Sequence, residues 1–202
     1  MTISKGGPYG EPGPLPAGGV VVRSDAEARA ALQGARRRHE PYPPLGLLAG
    51  DLCRTLGGPG DERRLRSPDA VRFQVDLGVA LVDGVVRLFL AHLVAHDRTW
   101  RRSFVAMNAQ WRGRWNLGPR AHPNDGRLDT YDARLTVRDL VLVHRRLHHG
   151  AHLPHPRIVE RRAAAVQVDL GRRLALELDG ERAGRVRVLS VRVEPDAVTV
   201  VV

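Results

Sequence analysis

Alternating apolar and polar side chains dominate residues 69–202. Phe73, Val75 and Leu77 all point to one side of their segment, which is the period of a half-buried strand. Asp83-Gly84 is a hairpin signal between two such segments. The pattern predicts strands at 72–77, 79–82, 85–91, 103–108, 128–133, 164–170, 173–178, 186–193 and 197–202.

One helix interrupts these strands. Thr136 and Asp139 are spaced as a box-like helix start, and apolar residues from Val137 to Leu147 recur at the i, i+3 and i+4 positions of one helix face. Gly150 ends the segment. Residues 69–202 are therefore predicted to form a β-sandwich-like domain that carries one helix.

A smaller unit precedes this domain at residues 20–68. It reads as strand 20–23, a helix that begins at the Ser24–Glu27 capping box, strand 45–49 and a short helix at 51–56. This β-α-β-α order is the minimum of an α/β unit. Residues 1–19 are rich in glycine and proline and are predicted to form a flexible or extended lead-in. The fold class is therefore α+β and mostly β.

Composition narrows the function classes. With 43% hydrophobic and 27% charged residues, the 202-residue chain is predicted to be globular rather than disordered. Cys53 is the only cysteine, so no internal disulfide forms. No apolar run reaches the length of a membrane span, and the first residues lack the apolar core of a secretion signal. These features predict a cytoplasmic protein.

The net charge of +10 has two interpretations. Lys5 is the only lysine among 32 basic residues, a bias that GC-rich codons produce. The alternative is binding to phosphate, nucleic acid or an anionic membrane surface. Aromatic residues make up only 4% of the chain, so platforms for stacked bases are scarce. This argues against nucleic acid and leaves a lipid or an anionic membrane as the candidate partner.

Four ordered motifs resemble one known family. Phe104–Ala109, Pro123–Asp129, Gly150–Pro156 and Leu178–Glu181 resemble the "FVAVANG", "DDGLLDV", "GxHxxHP" and "LDGE" segments of bacterial diacylglycerol kinases and YegS-like lipid kinases. These kinases share a superfamily with NAD kinases and sphingosine kinases. The resemblance implies their β-sandwich-like C-terminal domain.

The first part of the chain is less similar to that family. Pro44–Gly57 resembles "PLGIIPLGTGNDFARALG" but lacks the central "GTGN", and the segment from Val20 to Ala26 stands where the family has "GGDGT". Glycine loops of this kind let phosphate approach bare backbone amides. The resemblance thus implies a truncated nucleotide-binding part with a degenerate phosphate loop. Its counterpart positions in this chain are Arg23, Ser24, Asp25 and Gly50.

The resemblance also implies site residues and cofactors. Asp179 and Glu181 match the turn that carries the family's proposed general base. The family's magnesium loop falls on Asn124, Asp125 and Arg127, so ATP and Mg²⁺ are the implied cofactors. Both segments have a simpler interpretation, because Asp-Gly and Asn-Asp-Gly are also ordinary turn sequences. Asp129 lies close by in sequence and also offers carboxylate oxygens.

Two further motifs contain residue types that bind metals or anions. His144 and His148 have the i, i+4 spacing of zinc-binding helices, but no HExxH motif is present. The segment Trp111–Trp115 reads either as a clamp for an anionic head group or as a glycine-turned hairpin. Cys53 lies on an apolar helix face and is predicted to be a core residue rather than a nucleophile.

Three hypotheses for function result. The chain is a lipid-kinase-like phosphotransferase, in one version completed by a second copy in a homo-oligomer. Alternatively, it is a relative with degenerate catalysis that binds a lipid, a nucleotide or a protein on the same fold. The third hypothesis is a basic nucleic-acid-binding protein, whose affinity would fall steeply with salt.

Overall fold

The structure is a computed structural model that describes residues 9–202. Eleven strands and four helices are present in this range. In chain order they are β1 Glu11–Pro12, β2 Val20–Val22, α1 Asp25–Arg37, β3 Leu45–Leu47, α2 Asp51–Thr55, α3 Glu62–Leu65, β4 Val71–Val82, β5 Val85–Phe89, β6 His92–His96, β7 Arg102–Met107, β8 Leu128–Arg134, α4 Val137–Leu147, β9 Ile158–Ala163, β10 Ala165–Leu178 and β11 Glu181–Val201.

All the strands belong to one sheet, and most of its pairs are antiparallel. The main order is β1-β4-β11-β10-β6-β7-β8-β9, with β5 paired to β4. Strand β3 pairs in parallel with both β2 and the end of β11, where Leu45 lies opposite Val200. The α+β, mostly β prediction is confirmed, and so is the single helix, α4, within the strand-rich part. The two strands of the first unit extend the same sheet.

Two buried clusters hold the helices and strands together. In the first, Leu32 of α1 packs with Leu45 and Val200, so α1 covers the part of the sheet where β3 meets β11. In the second, Phe89 and Leu176 belong to a core formed by β4 to β8, β10 and β11. The first cluster positions α1 and α2 beside the strands that carry the candidate site.

The three longest strands correct a prediction. Segments 72–77 and 79–82 form one strand, β4, because Gly78 interrupts the alternation without ending the pairing with β11. Segments 164–170 and 173–178 form one strand, β10, whose register with β11 shifts between Asp169 and Leu174. Segments 186–193 and 197–202 similarly lie in β11, where the register shifts between Glu194 and Val198. For β10 and β11, the prediction of separate strands was wrong because extra residues in a β-bulge interrupt the alternation without ending the strand.

Three strands, β1, β6 and β9, and the short helix α3 are absent from the sequence-based prediction. Strand β6 was missed because 85–91 was read as one strand, whereas the chain turns after Phe89 and pairs again from His92. Strand β9 was missed because its positions alternate only between half-buried and exposed, and it lies at the end of the sheet order beside β8. The Asp83-Gly84 hairpin is confirmed, with Val82 opposite Val85.

The described part of the glycine- and proline-rich lead-in lies along the sheet. Strand β1 pairs with the start of β4, and the Gly13 amide donates to the Ala70 carbonyl at 2.9 Å. Leu15 is buried, and its amide donates to the Leu65 carbonyl at 2.7 Å. Residues 1–8 of the predicted lead-in lie outside the described range. Among the described helices, none has the length and hydropathy required to cross a bilayer.

Two glycine substitutions test this packing with opposite expected signs. A Cβ at Gly78 would lie 2.2 Å from the buried Phe89 ring, so Gly78→Ala should destabilise the protein by about 1–3 kcal/mol. A Cβ at Gly34 in α1 meets only the Arg38 guanidinium at 3.3 Å, so Gly34→Ala should stabilise it by about 0.5–1 kcal/mol. Urea unfolding measures both changes. Equal effects of the two variants would contradict the packing of β4 against Phe89.

Candidate functional site

A buried carboxylate lies at the turn between β10 and β11. Asp179 has a left-handed backbone with φ +51°, and its carboxylate is inaccessible to solvent. The oxygens accept hydrogen bonds from the amides of Leu90, Ala91 and His92, at 2.8–3.1 Å. A buried charge is costly unless it is hydrogen-bonded, and these three donors supply that compensation. The Asp-Gly sequence therefore predicts the turn correctly, but it does not predict that the aspartate is buried.

An arginine of α1 connects Asp179 to Glu181. The Nε atom of Arg29 lies 3.5 Å from Oδ2 of Asp179, and its Nη2 lies 2.5 Å from Oε2 of Glu181. The Arg29 side chain is largely buried, whereas more than half of the Glu181 side chain is exposed. The structure thus brings the two predicted catalytic residues together around one guanidinium.

A second carboxylate caps the short helix α2. Asp25 lies in the first turn of α1, and its oxygens accept the amides of Asp51 at 2.5 Å and Leu52 at 3.2 Å. Gly50 precedes α2 with φ +109°, and a Cβ there would lie 2.7 Å from Oδ1 of Asp25. Two predicted phosphate-binding residues therefore meet, and the carboxylate of one occupies the space that the glycine leaves open.

Asp51 joins this cluster to two other parts of the chain. Its Oδ2 lies 2.9 Å from Nε2 of the buried His92, and its Oδ1 accepts the Gly113 amide at 2.7 Å. Burial alone would raise the pKa of Asp51, but the hydrogen bond and the charge of His92 hold it below its ordinary value. Asp51 is therefore the carboxylate of the cluster that most readily carries a charge.

The other two carboxylates resist ionisation. Burial, with the nearby charge of Asp179, raises the pKa of Asp25 to about 7, although two backbone amides oppose the shift. Burial also raises the pKa of Asp179, against the influence of His92 and the three amides. Together, Asp25, Asp51, Asp179, His92 and Arg29 form a group that we call the carboxylate cluster. Groups with separated pKa values can hold and exchange a proton near neutral pH.

The predicted phosphate loop is closed by the protein's own side chains. Ser24 Oγ accepts the Glu27 amide at 3.1 Å, and the Glu27 carboxylate accepts the Arg23 amide at 2.7 Å. The Arg23 guanidinium pairs with Glu62 at 3.3 Å and is mostly exposed. Asp25 accepts hydrogen bonds from the amides at the start of α2. The starts of α1 and α2 are therefore both hydrogen-bonded to side chains of this chain. As arranged, these residues do not fit the phosphates of a nucleotide.

The predicted magnesium loop also has internal partners. The Asn124 side chain donates to Asp196 at 2.7 Å, and the Asp125 carboxylate accepts the Arg127 amide at 2.9 Å and pairs with Arg162. A guanidinium on Asp125 occupies the place that a cation would take. Nowhere in residues 9–202 do three or more His, Cys, Asp or Glu side chains group as metal ligands. The donor set as arranged does not fit Mg²⁺, and metal binding at this loop stays a prediction.

The segment Trp111–Trp115 forms the predicted glycine-turned hairpin, with a bridge between Arg112 and Trp115. The Arg112 guanidinium pairs with Glu177 at 2.6 Å and lies 5.1 Å from the centre of the Trp100 ring. Gly113 is the residue whose amide binds Asp51. The hairpin therefore connects the carboxylate cluster to the tryptophans beyond it.

Those tryptophans line an apolar cavity between α4 and the sheet. Its volume is about 640 Å³. Apolar side chains make up most of its wall, with a few basic groups. The lining includes Trp100, Val105, Trp115, Leu117, Tyr131, Ala133, Leu135, Leu140, Val141, Val143, Leu147, Leu153 and Ile158, together with Arg112, His144 and Arg145.

Two other predictions are settled by burial and contacts. Cys53 is buried, its thiol donates to the Leu47 carbonyl at 3.4 Å, and burial followed by the charge of Asp25 raises its pKa to about 11. The core assignment is therefore confirmed. His144 lies edge-on to Trp115, with ring centres 5.8 Å apart, and belongs to the cavity wall.

Sequence reasoning did not assign Arg29, Asp51 or His92 to the site. The sequence offered a signal for Asp51, because this residue follows the segment that resembles the family's glycine loop. His92 carried a weaker signal as a polar residue inside a long apolar run. Arg29 gave none, since the chain is rich in arginine and only the packing of α1 brings this one to Asp179.

The chain belongs to the YegS-like family. Residues 70–202 match the family described as the YegS C-terminal NAD kinase beta sandwich-like domain. The lipid-kinase resemblance and the β-sandwich-like domain predicted from the sequence are thereby confirmed. No curated protein matches the chain.

Solved structures share the fold. A putative diacylglycerol kinase from Bacillus anthracis str. Sterne superposes with a TM-score of 0.68 at 13% identity, covering 91% of this chain and 76% of that chain. A second such structure from the same organism gives 0.67 at 13% identity, with 91% and 77% covered. A diacylglycerol kinase structure from that strain gives 0.62 at 13% identity, with 91% and 75% covered. Identity this low supports a common fold alone.

The raised pKa of Asp25 predicts a pH dependence. Its ordinary value is 3.8 and its folded value is about 7, so between these values the folded protein keeps a proton that the unfolded chain has released. The free energy of unfolding therefore falls as the pH rises from about 4 to 7, by up to about 4 kcal/mol. Asp25→Asn should lack this contribution and gain stability relative to the wild type over that range.

Denaturant unfolding at several pH values measures the difference between the two proteins. Asp69→Asn, which changes an exposed carboxylate, is the control and should follow the wild type. A constant difference between wild type and Asp25→Asn from pH 4 to 8 would contradict the pKa of Asp25.

Proposed function

We propose that this protein is a lipid-binding member of the YegS-like family in which phosphoryl transfer is degenerate. The apolar cavity beneath α4 carries the proposal. The cytoplasmic setting predicted from the sequence is part of it. ATP and Mg²⁺, which the family implies, are not required for the lipid to bind.

The size and wall of the cavity suit a hydrocarbon chain. About 640 Å³ lies within the range of pockets that hold small ligands. Burial of apolar surface stabilises a complex by roughly 25 cal/mol per Å², so a chain packed between Trp100, Trp115 and Ile158 would gain several kcal/mol. A polar metabolite would lose its hydration here without gaining enough hydrogen bonds.

The basic groups in the wall indicate where a head group would lie. Arg112 and Arg145 are the charged residues among the lining. Arg145 favours an anionic or strongly polar group over a second apolar chain, whereas Arg112 already pairs with Glu177 at 2.6 Å and offers only its remaining donors to a head group. Arg112 precedes Gly113, which binds Asp51. A lipid with its tail under α4 and its head at Arg112 would thus extend toward the carboxylate cluster.

The amides at the starts of α1 and α2 are already hydrogen-bonded within the chain, which supports the proposal that phosphoryl transfer is degenerate. Phosphoryl transfer depends on donors that hold and neutralise the phosphates. Here the amides at the start of α2 bind Asp25, and the first turn of α1 is satisfied by Ser24 and Glu27. Asp25 therefore occupies the amide donors that a phosphate would otherwise bind.

A second candidate function is phosphoryl transfer to a lipid hydroxyl. The carboxylate cluster favours it, because burial raises the pKa of Asp25 and of Asp179 and thereby makes proton acceptors of them. In that reaction Asp179 would accept the proton of the hydroxyl. For this, the hydrogen bonds from the three backbone amides and the contact with Arg29 would first have to leave one carboxylate oxygen of Asp179 free.

Narrowing the cavity should remove lipid binding. Ala133 is a buried lining residue, and Ala133→Phe fills part of the space, so affinity for a short-chain diacylglycerol should fall at least tenfold. Trp100 and Trp115 report binding through their fluorescence, and Trp111→Phe removes the tryptophan that lies outside the cavity lining. Ala165→Phe, at an exposed position of β10, is the control and should bind like the wild type. Unchanged affinity in Ala133→Phe would contradict the proposed lipid site.

The degenerate reaction has its own test. ATP consumption with Mg²⁺ and a panel of lipid alcohols should stay at the background rate, and Asp179→Asn should leave that rate unchanged. Thermal melting of the variant checks that the turn still folds. ATP turnover that depends on lipid and is abolished in a folded Asp179→Asn protein would establish the second candidate instead.

A further inference from the structure

A cleft that is lined mainly by arginines lies at the end of β6 remote from the carboxylate cluster. Strand β6 begins at His92, beside Asp51, and ends at His96, next to Asp97 of the cleft. The strand spans roughly 15 Å, so the two sites are separate. The volume of the cleft is about 620 Å³. The charged residues of its lining are Asp97, Arg101, Arg102, Arg134, Arg157 and Arg172.

Strand pairing places three of these arginines in a row. Arg102 of β7 lies directly opposite Arg134 of β8, and the Arg134 amide donates to the carbonyl of Arg157 at 3.0 Å. Residues opposite each other in an antiparallel pair lie on the same side of the sheet, with Cβ atoms about 4.5–5.5 Å apart. Like charges in these positions destabilise a sheet. A bound anion would relieve the repulsion along this row.

Acidic side chains of the chain compensate this charge only in part. Arg102 is buried and pairs with Asp132, but its Nε atom has no hydrogen-bond partner within the described residues. Arg101 and Arg134 are exposed, and neither forms an ion pair in that part of the chain. Two exposed guanidinium charges are therefore uncompensated beside a buried third one.

Two more guanidinium groups have ion pairs that a ligand can share. Arg157 lies 3.3 Å from Asp139, and Arg172 pairs with Asp97. Both arginine side chains are more than half exposed, and exposed ion pairs contribute little stability. Because a guanidinium group carries five N–H donors, each of these arginines keeps donors for an anion.

This donor set favours a diphosphate over a single phosphate. A guanidinium group binds two phosphate oxygens at once through its planar fork of N–H donors. Four exposed guanidinium groups line the cleft. A terminal phosphate presents three oxygens, which is fewer than four such forks can bind. Two linked phosphates supply more oxygens and can extend along the row of arginines.

The remaining lining residues indicate what kind of molecule carries the phosphates. Among the described residues no aromatic side chain lines the cleft, so a nucleic-acid base would have no stacking partner there. Its leucines, Leu135 and Leu170, are buried and leave no apolar side chain to enter a bilayer. The lining thus favours a small, polar and soluble ligand.

We infer that this arginine cleft binds the diphosphate group of a small soluble metabolite. Arg101 and Arg134 hold the phosphates, because their charges have no acidic partner in the described part of the chain, and Arg157 and Arg172 add donors. The inference goes beyond the proposed function, since the ligand is not a lipid and the cleft is separate from the carboxylate cluster.

Calorimetric titration of the full chain with inorganic pyrophosphate tests the cleft. The titration contains neither Mg²⁺ nor lipid, and its ionic strength is held constant so that screening is equal for every anion. Wild-type protein should bind pyrophosphate roughly tenfold or more tightly than it binds orthophosphate or sulfate. Arg101→Gln with Arg134→Gln should weaken pyrophosphate binding roughly a hundredfold, because each substitution removes charge-assisted hydrogen bonds worth about a factor of ten.

A matched control removes the same charge elsewhere. Arg37→Gln with Arg66→Gln changes two exposed arginines outside the cleft and should keep the affinity within about twofold. Thermal melting without ligand checks the fold, and the cleft variant should be at least as stable as the wild type because Arg134 no longer repels Arg102. Pyrophosphate should raise the melting temperature of wild type and control but not that of the cleft variant.

Four results would overturn the inference. Folded wild-type protein that binds no pyrophosphate would reject the site, and equal losses in the cleft and control variants would show that binding reflects net charge alone. Equal affinity for sulfate, orthophosphate and pyrophosphate would indicate an adventitious ion only. Anionic vesicles or a DNA oligonucleotide that bind through the same arginines more tightly than pyrophosphate would assign the cleft to another partner. None of these results depends on whether the cavity beneath α4 binds lipid.

Discussion

The burial of the Asp179 carboxylate is the constraint on which the arrangement of the site depends. Its three amide donors lie in the corner between β5 and β6, and Asp179 itself lies in the turn that connects β10 to β11. A carboxylate removed from water must keep such donors, so the corner and the turn hold each other in place. Arg29 contacts Asp179 and so holds α1 beside this turn, and α1 in turn places Asp25 at the start of α2. The residue that the family resemblance marks as a base is here also a structural support.

This dependence explains which parts of the fold could be predicted from the sequence. Alternation and the Asp83-Gly84 turn predict the strands of the sheet because one face of each is buried locally. The corner after Phe89 could not be predicted in this way, since an aspartate 90 positions later stabilises it. Bulges in β10 and β11 likewise depend on the partner strand rather than on the strand's own residues. The sequence identified Asp25, Gly50, Asp179 and Glu181, but their mutual contacts required the tertiary structure.

The site has two ends with different chemistry. At one end, acidic side chains of this chain accept hydrogen bonds from the amides at the positions that the family resemblance assigns to phosphate binding. At the other end, an apolar cavity opens between α4 and the sheet with arginines at its wall. The hairpin at Arg112–Trp115 spans the two, since Gly113 binds Asp51 while Trp115 lines the cavity. This short hairpin is therefore in contact with both ends of the site.

A crystal structure of the protein grown with ATP, Mg²⁺ and a short-chain diacylglycerol tests the central claim most directly. The account predicts an ordered acyl chain between Trp100, Trp115 and Ile158, with Asp25 still bound to the amides of Asp51 and Leu52. A triphosphate ordered against residues 23–26, with a cation beside it and Asp25 displaced, would contradict the account.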